Sequence, residues 1–414
     1  MRAEIISIGD ELLIGQTINT NAAWLGEKLN ANGIRVHRST SIADDRTDIL
    51  TSLGEAGGRS QLILITGGLG PTKDDITKKT MCEYFETDLI MNEAGLARIT
   101  EFFTSRGLPM LEVNHQQALV PRNCTVIQNL RGTADGMWFE KDGVVYVSMP
   151  GVPYEMENMM EETILDKVLT HFKRPSIVHR TILTTGLGES FLADKIKDWE
   201  NSLAGLGIGL AYLPSPGMVK LRMSVYGGGD EASLRSKIEA KEKELLEIIP
   251  GHVYGYEKDT LQGVTGTLLL EQRSSLSVAE SCTGGYLSHL ITSVPGSSAY
   301  FKGGGVTYVS ELKERVLGVN PDLIAKHGEI SSQVAEAMAI GAQQSFMTDY
   351  ALSVTGIAGP TGGTEETPVG MVWIAVASPG KVRSELFRFG KRREFNIQMA
   401  ANAALNMLRK EILS

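Results

Sequence analysis

Over residues 1–169 short apolar runs alternate with amphipathic stretches. "AEIISIG" is apolar throughout and reads as a buried strand, and "NTNAAWLGEKLNANG" as a helix with an Asn cap and a Gly stop. "IRVHRSTSI" reads as a strand and "DDRTDILTSLGEA" as a helix with an acidic first turn. "SQLILITGGLGPTKDD" is a strand that runs into a glycine-rich loop. Such alternation implies a mostly parallel sheet with helices on both faces. Ligands on these sheets bind at the carboxyl ends of the strands, where the loops "GDELLIG" and "TGGLGPTKDD" both fall.

The pattern changes over residues 170–257. "IVHRTILTTG" reads as a strand, "ESFLADKIKDWENSL" as a helix, "MVKLRMSVYGG" as an alternating strand and "DEASLRSKIEAKEKELLEIIP" as a charged amphipathic helix. This is a small α+β unit without a phosphate loop. Strand–helix alternation returns over residues 258–414: "LQGVTGTLLLEQ" is a helix, "SLSVAES" a strand, "TGGYLSHLITSV" a helix and "GGGVTYVS" a strand. "SSQVAEAMAIGAQQSF" is a helix with a Ser cap, "TDYALSVTGIAGPTGG" and "GMVWIAVASPG" are strand-and-loop units, and "EFNIQMAANAALNMLRKEIL" closes as a helix. The fold class is therefore α/β: two α/β domains with mostly parallel sheets, joined by a small α+β domain.

Composition narrows this. A chain of 414 residues exceeds one ordinary core, and 21% charged with 42% apolar residues describes a globular protein. The net charge of −9 argues against nucleic acid as a partner. Cys82, Cys124 and Cys282 lie too far apart for a metal motif or a disulfide framework, which suits a reducing cytoplasm. "MRAEIISIGDELLIG" turns acidic too soon for a signal peptide, and no apolar run approaches the roughly 20 residues of a membrane span.

Two places carry candidate chemistry. In the first, Gly67, Gly68 and Gly70 let backbone approach a ligand, Thr66 and Thr72 offer hydroxyls, and Asp74 and Asp75 follow. Glycines cradle phosphates while carboxylates hold a divalent cation on them. Asp10 and Glu11 stand in the neighbouring loop; ordinary turns with acidic helix caps would leave the same pattern. In the second, "AESCTGGYLSHL", a hydroxyl-rich turn precedes a helix beginning near Gly284, whose free N–H groups can hold an oxyanion. A serine nucleophile needs a base. His289 lies about two turns along the same helix, too far to pair with Ser281. The lysine alternative is Lys313, in "GGGVTYVSELKERV" with Tyr308. On their own these two read as a solvated helix lysine and a core tyrosine.

The chain resembles the CinA family (competence/damage-inducible protein A) along its whole length. "GDELLIGQTINTNAAWL", "TGGLGPTKDD", "GTADG" and "MPGVPYEM" look like its N-terminal domain, which is similar to molybdopterin-binding proteins. "AESCTGG", "GGGVTYVSELK", "VTGIAGPTGG" and "PVGMVWIAV" look like its C-terminal nicotinamide-nucleotide amidase domain. Residues 170–257 resemble its KH-like domain, here without the GxxG loop and basic neighbours that bind RNA. The resemblance implies a molybdopterin-binding-like domain over 1–169, a KH-like linker over 170–257 and an amidase over 258–414.

The implied reactions are two. The amidase converts nicotinamide mononucleotide (NMN) and water to nicotinic acid mononucleotide and ammonia without a cofactor. The N-terminal site hydrolyses ADP-ribose with a divalent metal. By this resemblance Ser281 is the nucleophile, Lys313 its base, and Tyr308 supports the pair. Thr283, Gly284, Gly285, Thr355, Gly356 and Gly359 line the substrate pocket. Ser297, Ser298 and Arg392 meet the nucleotide phosphate. Thr283 also stands where a helix cap belongs, and Cys282 is a packed neighbour. Asp10, Glu11, Asp74 and Asp75 would hold the metal, and Gly67, Gly68, Gly70 and Thr72 the phosphate. Two positions depart from the family pattern: Gln116 stands where lysine is usual and Asp135 where proline is usual. A nucleotide- or pterin-binding protein without turnover is the alternative, and a homodimer the expected assembly.

Overall fold

The computed structural model describes residues 1–70, 72, 75–172, 176–227 and 230–414. It divides into two compact units, Met1–Ile177 with Gly227–Asp230 and Val178–Tyr226 with Glu231–Ser414.

The first unit is built on β1 (Arg2–Ile8), β2 (Arg35–Ile42) and β3 (Leu62–Thr66). A small pair follows, β4 (Leu89–Met91) with β5 (Leu119–Pro121), then β6 (Thr125–Ile127), β7 (Gly136–Lys141) and β8 (Val144–Met149). The main sheet runs β2-β1-β3-β8-β7-β6. Strands β2, β1, β3 and β8 are parallel neighbours. Every residue of β3 and β8, and all but the first of β1, is buried, as strands covered by helices on both faces require. One apolar layer gathers Leu25, Leu29 and Met156, the other Ile49, Leu53 and Met81.

The sheet is mostly parallel, as expected, with an antiparallel edge formed by β7 and β6. The cause is local. Asp142 (φ 52°) and Gly143 (φ 77°) form a two-residue turn with both residues left-handed, and such a turn folds a strand back on itself.

In the second unit β9 (Ser176–Thr185), β10 (Ile208–Ser215), β11 (Met218–Gly227) and β12 (Val253–Tyr256) form a sheet of order β10-β11-β9-β12. The helices Glu189–Ala204 and Glu231–Ile248 close it over Ile182, Ile196, Trp199, Leu221 and Leu245. This is the α+β unit expected from the pattern, with β10 and β12 added. The C-terminal sheet follows, with β13 (Leu276–Glu280), β14 (Phe301–Val306), β15 (Tyr350–Gly356), β16 (Met371–Ser378) and β17 (Lys381–Arg388), in the order β14-β13-β15-β16-β17. Strands β14, β13 and β15 are parallel; β16 and β17 reverse. The β10–β11 and β16–β17 hairpins turn on Pro216–Gly217 and Pro379–Gly380, the glycines at φ 74° and 77°. The helix Ser332–Phe346 covers one face of this sheet, and the helices Leu261–Glu271 and Arg393–Ile412 the other. No described helix is long and apolar enough to cross a membrane.

The C-terminal helix ties the α+β domain to the C-terminal sheet. Arg409 is 4% exposed and donates to Gly251 O (2.6 Å) and Val253 O (3.2 Å). Asn402 donates to Pro216 O at 2.9 Å. Removing Arg409 leaves buried carbonyls unpaired. We expect Arg409→Ala to destabilise the second unit by about 2–3 kcal/mol, read as a lower urea midpoint. An unchanged midpoint would show that water replaces the guanidinium without loss.

Candidate functional site

The first cluster stands at the carboxyl edge of the C-terminal sheet. β13 ends at Glu280, and parallel β14, paired Glu280 to Val306, ends beside it. The chain leaving β13 therefore meets the chain leaving β14, which brings Ser281 and Lys313 to one edge. Ser281 is pinned across to β15 by its N–H on Val354 O at 2.9 Å. Its hydroxyl makes no hydrogen bond among the described residues, although the residue is only 7% exposed.

Lys313 is wholly buried in the helix Ser310–Leu317, and Tyr308 is half exposed, the reverse of how the two read in isolation. Lys313 Nζ donates to Tyr308 O (3.4 Å) and faces the Glu329 carboxylate at 3.5 Å. Tyr308 thus supports the lysine through its carbonyl. Its hydroxyl is held instead by Arg393 Nη2 at 2.9 Å. Arg393 also donates to Gly359 O at 2.9 Å, so it joins the 356–363 loop to Tyr308. Burial pushes the Cys282 thiol up to about 12, against the pull of the Arg393 and Lys313 cations nearby. Cys282 is then a neutral packed group at neutral pH.

Two expectations are corrected here. The amides at the start of the helix Tyr286–Thr292 are not free, and Thr283 does not cap it. The Glu280 carboxylate, fully buried, accepts from the N–H groups of Gly285 (3.0 Å), Leu287 (3.0 Å) and Ser288 (2.8 Å) and from Ser288 Oγ (2.6 Å). What remains open are the N–H groups of Cys282 and Thr283, which form no backbone hydrogen bond. The buried hydroxyls of Thr283 and Thr307 also lack a protein partner. Gly284 (φ 60°) and Gly285 (φ 100°) make the left-handed turn that carries the chain from Ser281 into the helix.

The remaining expected residues divide. Thr355 and Gly356 lie at the end of β15 beside Ser281, with Thr355 Oγ1 donating to Glu329 O at 2.9 Å. Gly359 stands in the loop beyond. Ser297 and Ser298 do not join them. They precede β14 at its amino end, where Leu276 pairs with Phe301, four strand residues from Glu280 and about 13 Å away. Arg392 caps the C-terminal helix at an exposed position, and its neighbour Arg393 is the arginine that reaches the cluster. Glu329 and Arg393 are the residues the sequence did not single out.

The second cluster is at the carboxyl edge of the first unit's sheet. A cavity of about 430 Å³ is lined by Gly67, Gly68, Gly70, Thr72 and the carboxylates of Glu11, Asp44, Asp75 and Glu155. Gly67 is required: at φ 113° a Cβ would run into Ile8 O. Asp10 and Asp44 cross-bond, each backbone N–H on the other's carboxylate at 3.3 and 3.4 Å. Burial first, then the charges of Asp10, Glu11 and Asp75, push the Asp44 carboxyl above its ordinary range. Asp75 is turned inward onto the N–H and hydroxyl of Thr72. Asp74 lies outside the described residues.

Among the described residues no lysine or arginine lines this cavity. The nearest buried cation is Lys78, whose Nζ donates to Gln117 O at 2.7 Å and which burial lowers to about 8 despite Asp135 and Asp75. Gln116 is exposed on the helix Glu112–Gln117. Asp135, in place of the family's proline, is buried on Arg98 (2.6 Å) and the Asn129 N–H (3.0 Å). Among the described residues no three His, Cys, Asp or Glu stand close enough to chelate a metal together. A cavity of four carboxylates still repels a phosphate unless a cation lies between. The residues fit a Mg²⁺-type ion that takes one or two carboxylates and completes its shell with substrate oxygens.

The chain was compared with known proteins. Residues 258–412 match the family described as "CinA C-terminal domain", residues 4–171 "Probable molybdopterin binding domain" and residues 179–255 "Damage-inducible protein CinA KH domain". A "CinA-like protein" of Flavobacterium psychrophilum is 48% identical over 100% of this chain and 99% of its own. Another, of Cytophaga hutchinsonii, is 46% identical over 99% and 98%, and a third, of Gloeobacter violaceus, is 40% identical over 100% and 97%.

The acidic cavity yields a prediction with a defined sign. A carboxyl raised in the folded state favours folding at low pH and costs stability as pH rises through its raised value. Asp44→Asn should therefore raise the melting temperature at pH 7, by about 2 °C, with the gain fading as pH falls into the acid range. Mg²⁺ should stabilise the wild type more than this variant. Equal melting temperatures at pH 7 without metal would remove the repulsion as a factor.

Proposed function

The chain belongs to the CinA family, and on that premise we propose that its C-terminal domain is a nicotinamide-nucleotide amidase acting on NMN. The observation that carries this reading is the juxtaposition of an unengaged serine hydroxyl with a wholly buried lysine at one sheet edge. Ser281 Oγ attacks the carboxamide carbon while Lys313 takes the hydroxyl proton. The developing oxyanion is met by the N–H groups of Cys282 and Thr283, which have no other backbone acceptor. Collapse expels ammonia, with Lys313 returning the proton to it. Water then cleaves the acyl-serine, releasing nicotinic acid mononucleotide and restoring Ser281. The chemistry calls for no metal. With Ser297 and Ser298 at the opposite edge, phosphate recognition falls to Arg393 and the loop around Gly359. Glu329 holds Lys313 in place, and its own position is set by the Ser310 and Thr355 hydroxyls.

For the N-terminal domain we propose metal-dependent hydrolysis of ADP-ribose. The glycine turn at 67–70 would cradle the pyrophosphate, and one or two of Glu11, Asp44 and Asp75 would hold the cation on it, with Asp10 behind them on the Asp44 N–H. A bound divalent ion there would neutralise the phosphate charge and activate water. The competing reading, binding without turnover, draws on one fact: Asp75 is already committed to Thr72.

Ammonia release from NMN in the presence of a chelator tests the amidase. The wild type should turn over, Ser281→Ala and Lys313→Ala should lose about 10³-fold or more in kcat, and Cys282→Ala should stay within a few-fold of the wild type. Glu329→Ala should lower kcat by about tenfold with KM little changed, and Glu329→Gln, whose single amide oxygen can still accept from Lys313, should recover part of it. Full activity of a folded Ser281→Ala variant would end the amidase reading.

A further inference from the structure

We propose that the second unit holds another ligand site, distinct from Ser281 and shaped for an uncharged planar heteroaromatic ring that bears a carbonyl oxygen. It is a cavity of about 510 Å³ between the α+β domain and the C-terminal helix. Small-molecule sites span about 300–1,000 Å³ and favour domain boundaries of this kind. Its walls come from the 185–189 loop and the β10–β11 turn on one side, and from β17 and the helix Arg393–Ile412 on the other. Ser281 belongs to the strand end of β13. β17 is three strands away in the sheet, about 14 Å, so the two sites do not overlap.

Three features define the ligand. The first is an aromatic wall. Phe387 near the end of β17 and Phe389 just beyond it lie with ring centroids 5.7 Å apart and planes 20° apart. Met218 and Met399, both in the lining, add polarizable sulfur. A flat ring is the shape such a wall takes up.

The second is a single oriented donor. Asn406 is only 7% exposed. Its Oδ1 accepts from Arg409 Nε (3.2 Å) and Nη2 (3.0 Å), which fixes the amide the right way round. Its Nδ2 then faces the cavity wall near Gly186 and donates to no protein acceptor among the described residues. A buried donor held in place without an acceptor selects a ligand that brings a carbonyl oxygen.

The third is charge. Lys410 at the rim is balanced by Glu189 and Glu385, and Arg383 is already taken by Glu411 at 2.9 Å and Met407 O at 3.1 Å. The rim has no net positive charge to receive a phosphate. This separates the site from any nucleotide-phosphate pocket and favours a free base or carboxamide-type ring.

The test uses the full-length chain and titrates lumichrome, hypoxanthine and nicotinamide by saturation-transfer NMR and calorimetry. At least one should bind saturably at millimolar concentration or below. Ala403→Trp, which fills the cavity, should abolish that binding. Asn406→Asp keeps the contact to Arg409 but replaces the donor by an acceptor, and should weaken binding by about tenfold or more. Both variants should retain the wild-type activity toward NMN. If Ala403→Trp fails to fold, Phe387→Ala takes its place, with the same expected loss. No binding of any of the three to the wild type, or unchanged affinity in Asn406→Asp, would overturn the proposal.

Discussion

One buried carboxylate organises the C-terminal site. Glu280 closes β13 and at once satisfies three amides and a hydroxyl of the helix that follows. Hydrogen bonds to a charged group contribute about 1.5–3 kcal/mol each, against a desolvation cost of several kcal/mol for burying the ion. Four donors offset that cost, and they can do so only if the intervening turn takes one shape. Residues 281–285 are that turn. Ser281 is held between the carboxylate on one side and Val354 O on the other, with its hydroxyl left unengaged. The same capping removes the helix amides from the chemistry and leaves those of Cys282 and Thr283, nearer the serine, to do their work.

The two clusters share a logic. In each, parallel strands end at one edge, and groups far apart in sequence converge there: Glu280, Lys313, Glu329 and Arg393 in the one, Asp10, Asp44 and Asp75 in the other. They differ in electrostatics. The C-terminal cluster holds two cations, one buried, and one of them is matched by a carboxylate. Among the described residues the charged groups lining the N-terminal cavity are all carboxylates, and Lys78 is turned to the Gln117 backbone carbonyl.

Much of this was legible in the chain. The continuous apolar runs of β1, β3, β13 and β15 announced buried parallel strands, and the hydroxyl-rich turn after Ala279 announced its own irregularity. What escaped has physical reasons. The β7–β8, β10–β11 and β16–β17 hairpins turn on Asp-Gly or Pro-Gly, a signal two residues long inside a longer α/β pattern. β17, at the edge of the sheet, mixes charged and apolar residues without a continuous apolar run, and the sequence reading did not single it out. Ser297 and Ser298 had the right chemistry at the wrong end of a strand, which only register reveals. Arg392 and Arg393 are indistinguishable in sequence; the helix start aims the second and not the first. Asp44 and Glu329 matter through neighbours that no spacing rule connects to them.

The C-terminal helix has a mechanical consequence. Near its start Arg393 grips Tyr308 and the Gly359 carbonyl, and near its end Arg409 grips Gly251 and Val253 of the α+β domain. Sixteen residues of helix separate these grips, a stiff rod of about 24 Å. A tilt of about 5° at one end of such a rod displaces the other by about 2 Å, more than a hydrogen bond tolerates. The α+β domain and the Tyr308 side chain are therefore at opposite ends of a lever, and neither can reorient without loading the other.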